Sequence, residues 1–370
     1  MKSHFQFLQI SLHLEDYKFA LLCFVTAFIV TMMSIPLIIK FARKYSLYDM
    51  PSERKEHAVP VPTMGGIAVV TGMMIALLLW LPFHYEMQQI CFFFSIVVLF
   101  SLGIMDDIKD LSAKYKFVVQ AGLATLMAIS GIRINSFEGL FGIYDLPIIA
   151  QYTFTVLTIV GVTNAFNLID GIDGLAGGLG FMSLATLGIF LTINGDITSA
   201  LIAFSLAGGI VAFLYFNLNP ARIFLGDTGS LVLGFSIAVL CIRLMQVNTS
   251  PALPHAPLFI LSVVFIPVFD TIRVFARRIW KGKSPFQADK THIHHLLTSA
   301  GYGHAFATKL ICSIHGFILL EVYWLKDIKG EYLLLILITF MLIATTVLKN
   351  LRSLFKRRTA GGFSRSFIEN

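Results

Sequence analysis

An all-α, polytopic integral membrane protein with about 11 transmembrane helices is the fold class this sequence predicts, and three observations predict it. Apolar runs of about twenty residues, the length that crosses a bilayer as a helix, recur along the 370 residues. The chain is 56 % apolar with a mean hydropathy of +0.80, and 13 % of it is charged, about half the share of an ordinary soluble domain. Its polar clusters gather at alternate loops instead of being spread evenly. The net charge of +7 does not argue for a nucleic-acid partner, because the cations flank apolar runs, where they set membrane orientation.

Residues 1–16 read as a short amphipathic lead-in without a convincing cleavage site, so the first span is retained. Spans are expected at roughly 18–41, 64–82, 88–105, 116–132, 149–166, 176–193, 198–216, 229–247, 256–274, 306–325 and 331–348. An odd number puts the termini on opposite faces. Of the 28 Lys and Arg, 22 fall in the C-terminal tail or with the loops after odd-numbered spans, which places the N-terminus outside and the C-terminus in the cytoplasm. The whole chain, 1–370, reads as a single multispanning domain, with its motifs in 49–295 and a basic tail from about 349. Cys23, Cys91, Cys241 and Cys312 all sit inside apolar runs and read as core, with no disulfide inferred.

The densest cluster follows the fifth span. Asn164, Asn167, Asp170 and Asp173 recur every three residues, interleaved with Gly171, Gly174, Gly177 and Gly178. On a helix, that spacing keeps neighbours near one face, so at least the first three can converge on one ligand. Hard oxygen donors at a membrane edge suit Mg²⁺ with substrate phosphates. Helix capping accounts for one such residue per helix end, not four in register.

Four further loops on the same face carry chemistry-bearing residues. The first holds Arg54, Lys55 and His57 among prolines, a stiffened place for an anion. Asp106 and Asp107, at the end of the third span, are adjacent carboxylates that raise each other's pKa, so that one can serve as a base beside a metal. The segment from Asn217 to Ser230 sets Asp227 between glycines at a helix start, where free N–H groups favour phosphate, and Phe224 offers a flat face for a base ring. The longest loop carries Arg277 and Arg278, then His292, His294 and His295. Arg and His suit phosphate oxygens; zinc is disfavoured because no Cys or carboxylate stands at familiar zinc spacing. No Walker-type phosphate loop or dinucleotide fingerprint occurs.

Taken together, these motifs resemble the polyprenyl-phosphate N-acetylhexosamine-1-phosphate transferases, the family that includes WecA, TagO and MraY. The resemblance runs from about Asp49 to His295 in the family's order. It implies a Mg²⁺-dependent enzyme (Mn²⁺ being an alternative) of the bacterial inner membrane, active on its cytoplasmic face. Such an enzyme moves a sugar-1-phosphate from a UDP-N-acetylhexosamine to undecaprenyl phosphate and releases UMP, initiating cell-surface polysaccharide synthesis. Residue by residue, it implies catalytic roles for Asp106, Asp107, Asp170 and His292, and metal binding by Asp227 with Asp170. It places Lys55, Asn164, Asn167, Asp173, Arg278, His294 and His295 about the substrates and Phe224 on uracil. The His-Ile-His-His element resembles the WecA/TagO branch, whereas the muramoyl-pentapeptide branch tends to have three consecutive histidines, so UDP-N-acetylglucosamine is the favoured donor. A homodimer is left open. The competing class is an ion or solute transporter, which predicts acids deep in the spans; Asp270 is the clearest such acid.

Overall fold

The structure is a computed structural model that describes residues 14–45, 61–82, 86–248, 256–284 and 291–361. Thirteen α-helices are described: α1 (Leu14–Lys44), α2 (Gly65–Trp80), α3 (Met87–Lys109), α4 (Ala113–Ile129), α5 (Ile148–Ile169), α6 (Leu175–Ile193), α7 (Ile197–Asn217), α8 (Gly226–Val247), α9 (Ala256–Val263), α10 (Phe265–Trp280), α11 (Ile293–Thr298), α12 (His304–Trp324) and α13 (Gly330–Gly361). Eight of them, α1, α3, α5, α6, α7, α8, α12 and α13, are long and apolar enough to cross a membrane, and α9 with α10 makes up to a ninth span. The molecule is thus an all-α polytopic membrane protein. Each expected span has a helix, but α2 has 16 residues and α4 has 17, below a full crossing as drawn.

The expected span at 256–274 is bent by 77° between α9 and α10. Pro267 lies in the first turn of α10, where it has no N–H to donate and its ring crowds the carbonyl four residues back, so the helix breaks at Val264.

Helix α8 is the hub, packed against α2, α3, α5, α6, α7 and α9. In its most apolar stretch 78 % of residues are buried, against 22 % in α1 and α13. A helix apolar on every side belongs inside a bundle; α1, with Leu21, Met33 and Leu37 exposed, presents its flank to lipid. Polar side chains inside the bundle close on backbone. Ser183 Oγ donates to the Val263 carbonyl at 2.7 Å, and Thr31 Oγ1 to that of Ala68 at 3.2 Å. In an apolar medium an unmade bond costs more than in water.

The end of α3, the starts of α4 and α8 and the end of α5 meet at one end of the bundle. There Gly66 packs on Gly229, and a Cβ on Gly103 would overlap the Thr228 backbone, so the helix ends approach more closely than side chains allow.

Candidate active site

Helix α3 delivers two carboxylates with different surroundings. Asp106 Oδ1 accepts from the Leu111 N–H at 2.7 Å, which fixes the turn into α4. Its Oδ2 accepts from Lys116 Nζ at 2.7 Å. Asp107 faces the other way and takes up the open N-terminus of α8, accepting from Asp227 N at 2.8 Å, Thr228 N at 3.1 Å and Thr228 Oγ1 at 2.6 Å. An acid on unsatisfied N–H groups at a positive helix end is well placed. The two neighbours are therefore not equivalent: one pairs with Lys116 and holds the turn into α4, and the other anchors the start of α8.

Lys116 stands in the first turn of α4. Its ammonium also donates to Asp227 Oδ2 at 2.8 Å, bridging two acids 121 residues apart in sequence. Asn167 Nδ2, from the last turn of α5, donates to Asp227 Oδ1 and to Ser230 Oγ, each at 3.0 Å. Lys116, Asp106, Asp227 and Asn167 thus form one connected network. Lys116 counted in the sequence only as a cation of that face; its pairing runs between helices, and no local motif announces it.

Asp170 caps the C-terminus of α5 with non-helical φ/ψ of −76° and 52°, so the three-residue spacing leaves the helix at that position. Its carboxylate has no hydrogen-bond or ion-pair partner among the described residues. Burial, with the negative charges of Asp227, Asp107 and Asp173 nearby, pushes it up to about 7. Desolvation and three like charges act in the same direction on this carboxyl.

Other candidates are distributed around this centre. Asn164, one turn deeper, donates through Nδ2 to Gln120 Oε1 at 2.6 Å and joins α5 to α4. Asp173 is buried and turns away: its Oδ2 accepts from Asn219 Nδ2 and Ala221 N, each at 3.1 Å, and its Oδ1 lies 3.3 Å from His304 Nδ1. It ties the loop before α8 to the start of α12. Phe224 is half-buried in that loop, its N–H donating to the Pro62 carbonyl at 2.7 Å and its carbonyl accepting from Gly65 N at 2.9 Å. Arg278 is buried at the end of α10, 5.7 Å from the Phe275 ring centroid. Lys55 and His57 lie outside the described residues.

The histidines approach from the far side. His292, His294 and His295 form a ladder of rings with centroids 5.8 Å and then 4.2 Å apart. His294 Nε2 rests against Gly171, where any Cβ would overlap it, so glycine next to Asp170 is what lets the histidine segment close on the acids. Asp270, the acid that pointed to transport, is fully paired with Arg273 and His292.

With this geometry in place, comparison with known proteins is specific. Residues 89–245 match the model of glycosyl transferase family 4. The chain is 35 % identical to the probable undecaprenyl-phosphate N-acetylglucosaminyl 1-phosphate transferase of Bacillus subtilis (strain 168), covering 90 % of this chain and 94 % of that one. It is 35 % identical to the undecaprenyl-phosphate alpha-N-acetylglucosaminyl 1-phosphate transferase of Salmonella typhi over 75 % of this chain and 76 % of the relative. The like-named protein of Escherichia coli (strain K12) is 32 % identical over the same shares. With a relative matched along nine tenths of its length and the family's pattern spanning the acid cluster, the chain belongs to glycosyl transferase family 4.

Proposed function

We propose that this protein transfers N-acetylglucosamine-1-phosphate from UDP-N-acetylglucosamine to undecaprenyl phosphate, releasing UMP, as the first membrane step of a cell-surface polysaccharide. The observation that carries the proposal is the network of Asp106, Lys116, Asp227 and Asn167 beside the unpartnered Asp170, at an end of the helix bundle. A lipid phosphate and a soluble nucleotide diphosphate meet only at such an edge. The names of the relatives agree with that chemistry.

The donor set fits Mg²⁺. Its atoms are hard carboxylate oxygens, Asp170 has no hydrogen-bond or ion-pair partner among the described residues, and an ammonium already sits between Asp106 and Asp227 where positive charge is needed. The described residues contain no cluster of three His, Cys, Asp or Glu side chains with metal-site geometry, and a Mg²⁺ that keeps water and substrate phosphate needs only one or two carboxylates. Asp227 and Asp170 would hold it, and when bound it supplies charge neutralisation at the pyrophosphate.

The rest belongs to the chain's own groups. An oxygen of the lipid phosphate attacks the phosphorus that bears the sugar; the new P–O bond forms as the bond to UMP breaks, and UMP leaves with the electron pair. Asp106, free of the α8 terminus, takes up any proton remaining on the lipid phosphate, while Asp107 keeps Asp227 in place. Lys116, Arg278 and the histidines meet the phosphates, and positioning does most of the work, as in other phosphoryl transfers. Asn164, Asn167 and Phe224 stand toward the nucleotide, and Lys55 in the preceding loop is assigned to phosphate. The bilayer arrangement that accompanies this has eleven spans, counting α2 and α4 and taking α9–α10 as one. The N-terminus is then outside and the site lies on the cytoplasmic face of the inner membrane.

The donor is tested with purified protein, undecaprenyl phosphate, Mg²⁺ and a panel of UDP-sugars. UMP release is expected to be fastest with UDP-N-acetylglucosamine; release confined to another donor would overturn the assignment of the sugar. Direct attack predicts no phosphorylated enzyme when donor is mixed with protein lacking lipid, and trapping one would replace it with a two-step route.

A further inference from the structure

Asp270 is fully buried in α10, and no step above uses it. Arg273 Nη2 donates to its Oδ1 at 2.6 Å and also to the Thr291 carbonyl at 2.6 Å. His292 Nδ1 lies 2.9 Å from Asp270 Oδ2, and the Ile293 N–H lies 3.2 Å from both carboxylate oxygens. Three consecutive residues, 291–293, are thus clasped by two side chains one helical turn apart. A carboxylate at this depth persists only when paired and hydrogen-bonded, and here every bond serves the segment that starts the His-Ile-His-His ladder.

The clasp has a chemical consequence for the ring. An ionised carboxylate only accepts, so the proton on His292 sits at Nδ1 and the other nitrogen, Nε2, is left for a different partner. From His292 the ladder leads through His294 to Gly171, beside Asp170.

We propose that Asp270 is a positioning residue for the transfer reaction: with Arg273 it fixes the orientation and tautomer of His292, so that Nε2 is the nitrogen turned toward substrate phosphate. The inference rests on the function proposed above. It takes Asp270 out of any transport path and gives the break at Val264 a purpose, since the bend carries α10 and its carboxylate to the histidine segment.

The test compares Asp270→Asn, His292→Ala and the double variant by UMP release, together with ¹⁵N-histidine spectra in which His292 is identified by difference from His292→Ala. Asp270→Asn keeps the side chain's size but removes its charge. Its kcat is expected to fall roughly 10- to 100-fold, the usual consequence of removing an orienting partner, with KM for the donor changed by less than about threefold. In the His292→Ala background the same substitution is expected to add less than about twofold. Because Asp270→Asn leaves the Arg273 guanidinium buried without its partner, Asp270→Asn/Arg273→Gln, which removes both charges, is measured in parallel and decides the matter if the single variant does not fold. A wild-type kcat in either folded variant, or an undiminished loss on the His292→Ala background, would overturn the proposal. The spectra decide separately: wild-type His292 is expected protonated at Nδ1, and protonation at Nε2 alone would overturn the clasp. If wild-type protein released no UMP from any donor, the proposed function would fall, while the spectra would still decide the place of Asp270.

Discussion

Lys116 holds two carboxylates from different helices with one ammonium, at 2.7 and 2.8 Å. Lys116→Met leaves Asp106 and Asp227 without that positive charge, and a loss of about 100-fold or more in kcat/KM is expected, the scale of removing a preorganised electrostatic group. Lys116→Arg is expected to rescue little, since a planar fork does not replace a compact point charge between two acids. The two adjacent aspartates separate by a different measurement. Asp107→Ala abandons three hydrogen bonds at the start of α8 and is expected to cost roughly 1–3 kcal/mol of stability, read as a lowered Tm. Asp106→Asn keeps an acceptor for Leu111 N and is expected to lose transfer with a smaller change in Tm. Asp170 sets a pH dependence. Its pKa is raised, to about 7, so the folded protein takes up a proton as pH falls through neutrality, and between its ordinary acid range and 7 its stability contribution declines as pH rises. On the proposed assignment of Asp170 as a ligand, Mg²⁺ competes with that proton. The rise in Tm on adding Mg²⁺ is therefore expected to be larger near pH 8 than near about pH 5.5; equal shifts at both would remove Asp170 from the metal's ligands.

Whole elements are placed by contacts that a single substitution can break. Gly226 begins α8 with φ of +72°, and a Cβ there would overlap the Thr63 carbonyl and crowd the Asp107 carboxylate. Gly226→Ala is expected to destabilise by about 1–3 kcal/mol, measured by thermal unfolding in detergent. Gly171→Ala instead pushes His294 away from Asp170 and is expected to lower kcat with a smaller change in Tm. Much of this arrangement was legible in the sequence, because apolar runs and interleaved glycines are local signals. They gave a helix for every expected span and singled out Asp106, Asn167, Asp170 and Asp227, which the fold brings to one end of the bundle. Partnerships across the bundle were not legible. Nothing local distinguishes Lys116 from other basic residues on its face, or shows that Asp107 bonds the start of α8 while Asp106 pairs with Lys116. Asp173 falls in the periodic series of polar residues, yet the chain has left the helix by that point and its carboxylate joins the 219–221 loop and α12. Asp270 read as an acid alone in a span although Arg273 stands three residues on in the same helix; what the sequence does not show is that His292 returns from a distant segment to the other carboxylate oxygen.

At the scale of the molecule, α8 at the centre packs on α3 and α5, and α4 reaches it through Lys116, so that their polar ends meet at one end of the bundle. The proposed orientation makes a direct prediction: a cysteine at Ser112, exposed in the turn between α3 and α4, should react with an impermeant thiol reagent only in inside-out vesicles. One at Asn135, exposed in the α4–α5 loop, should react only from outside; the reverse pattern would invert the topology. The joint claim of site and function is tested most directly by counting both products of one reaction. Purified protein is supplied with UDP-N-acetylglucosamine, undecaprenyl phosphate and Mg²⁺, and UMP and lipid-linked pyrophosphoryl N-acetylglucosamine are quantified together, with Asp227→Asn as control. The expected result is equal amounts of the two products, none without lipid, and loss of both in Asp227→Asn. UMP without the lipid product, or undiminished transfer by the folded Asp227→Asn protein, would contradict it.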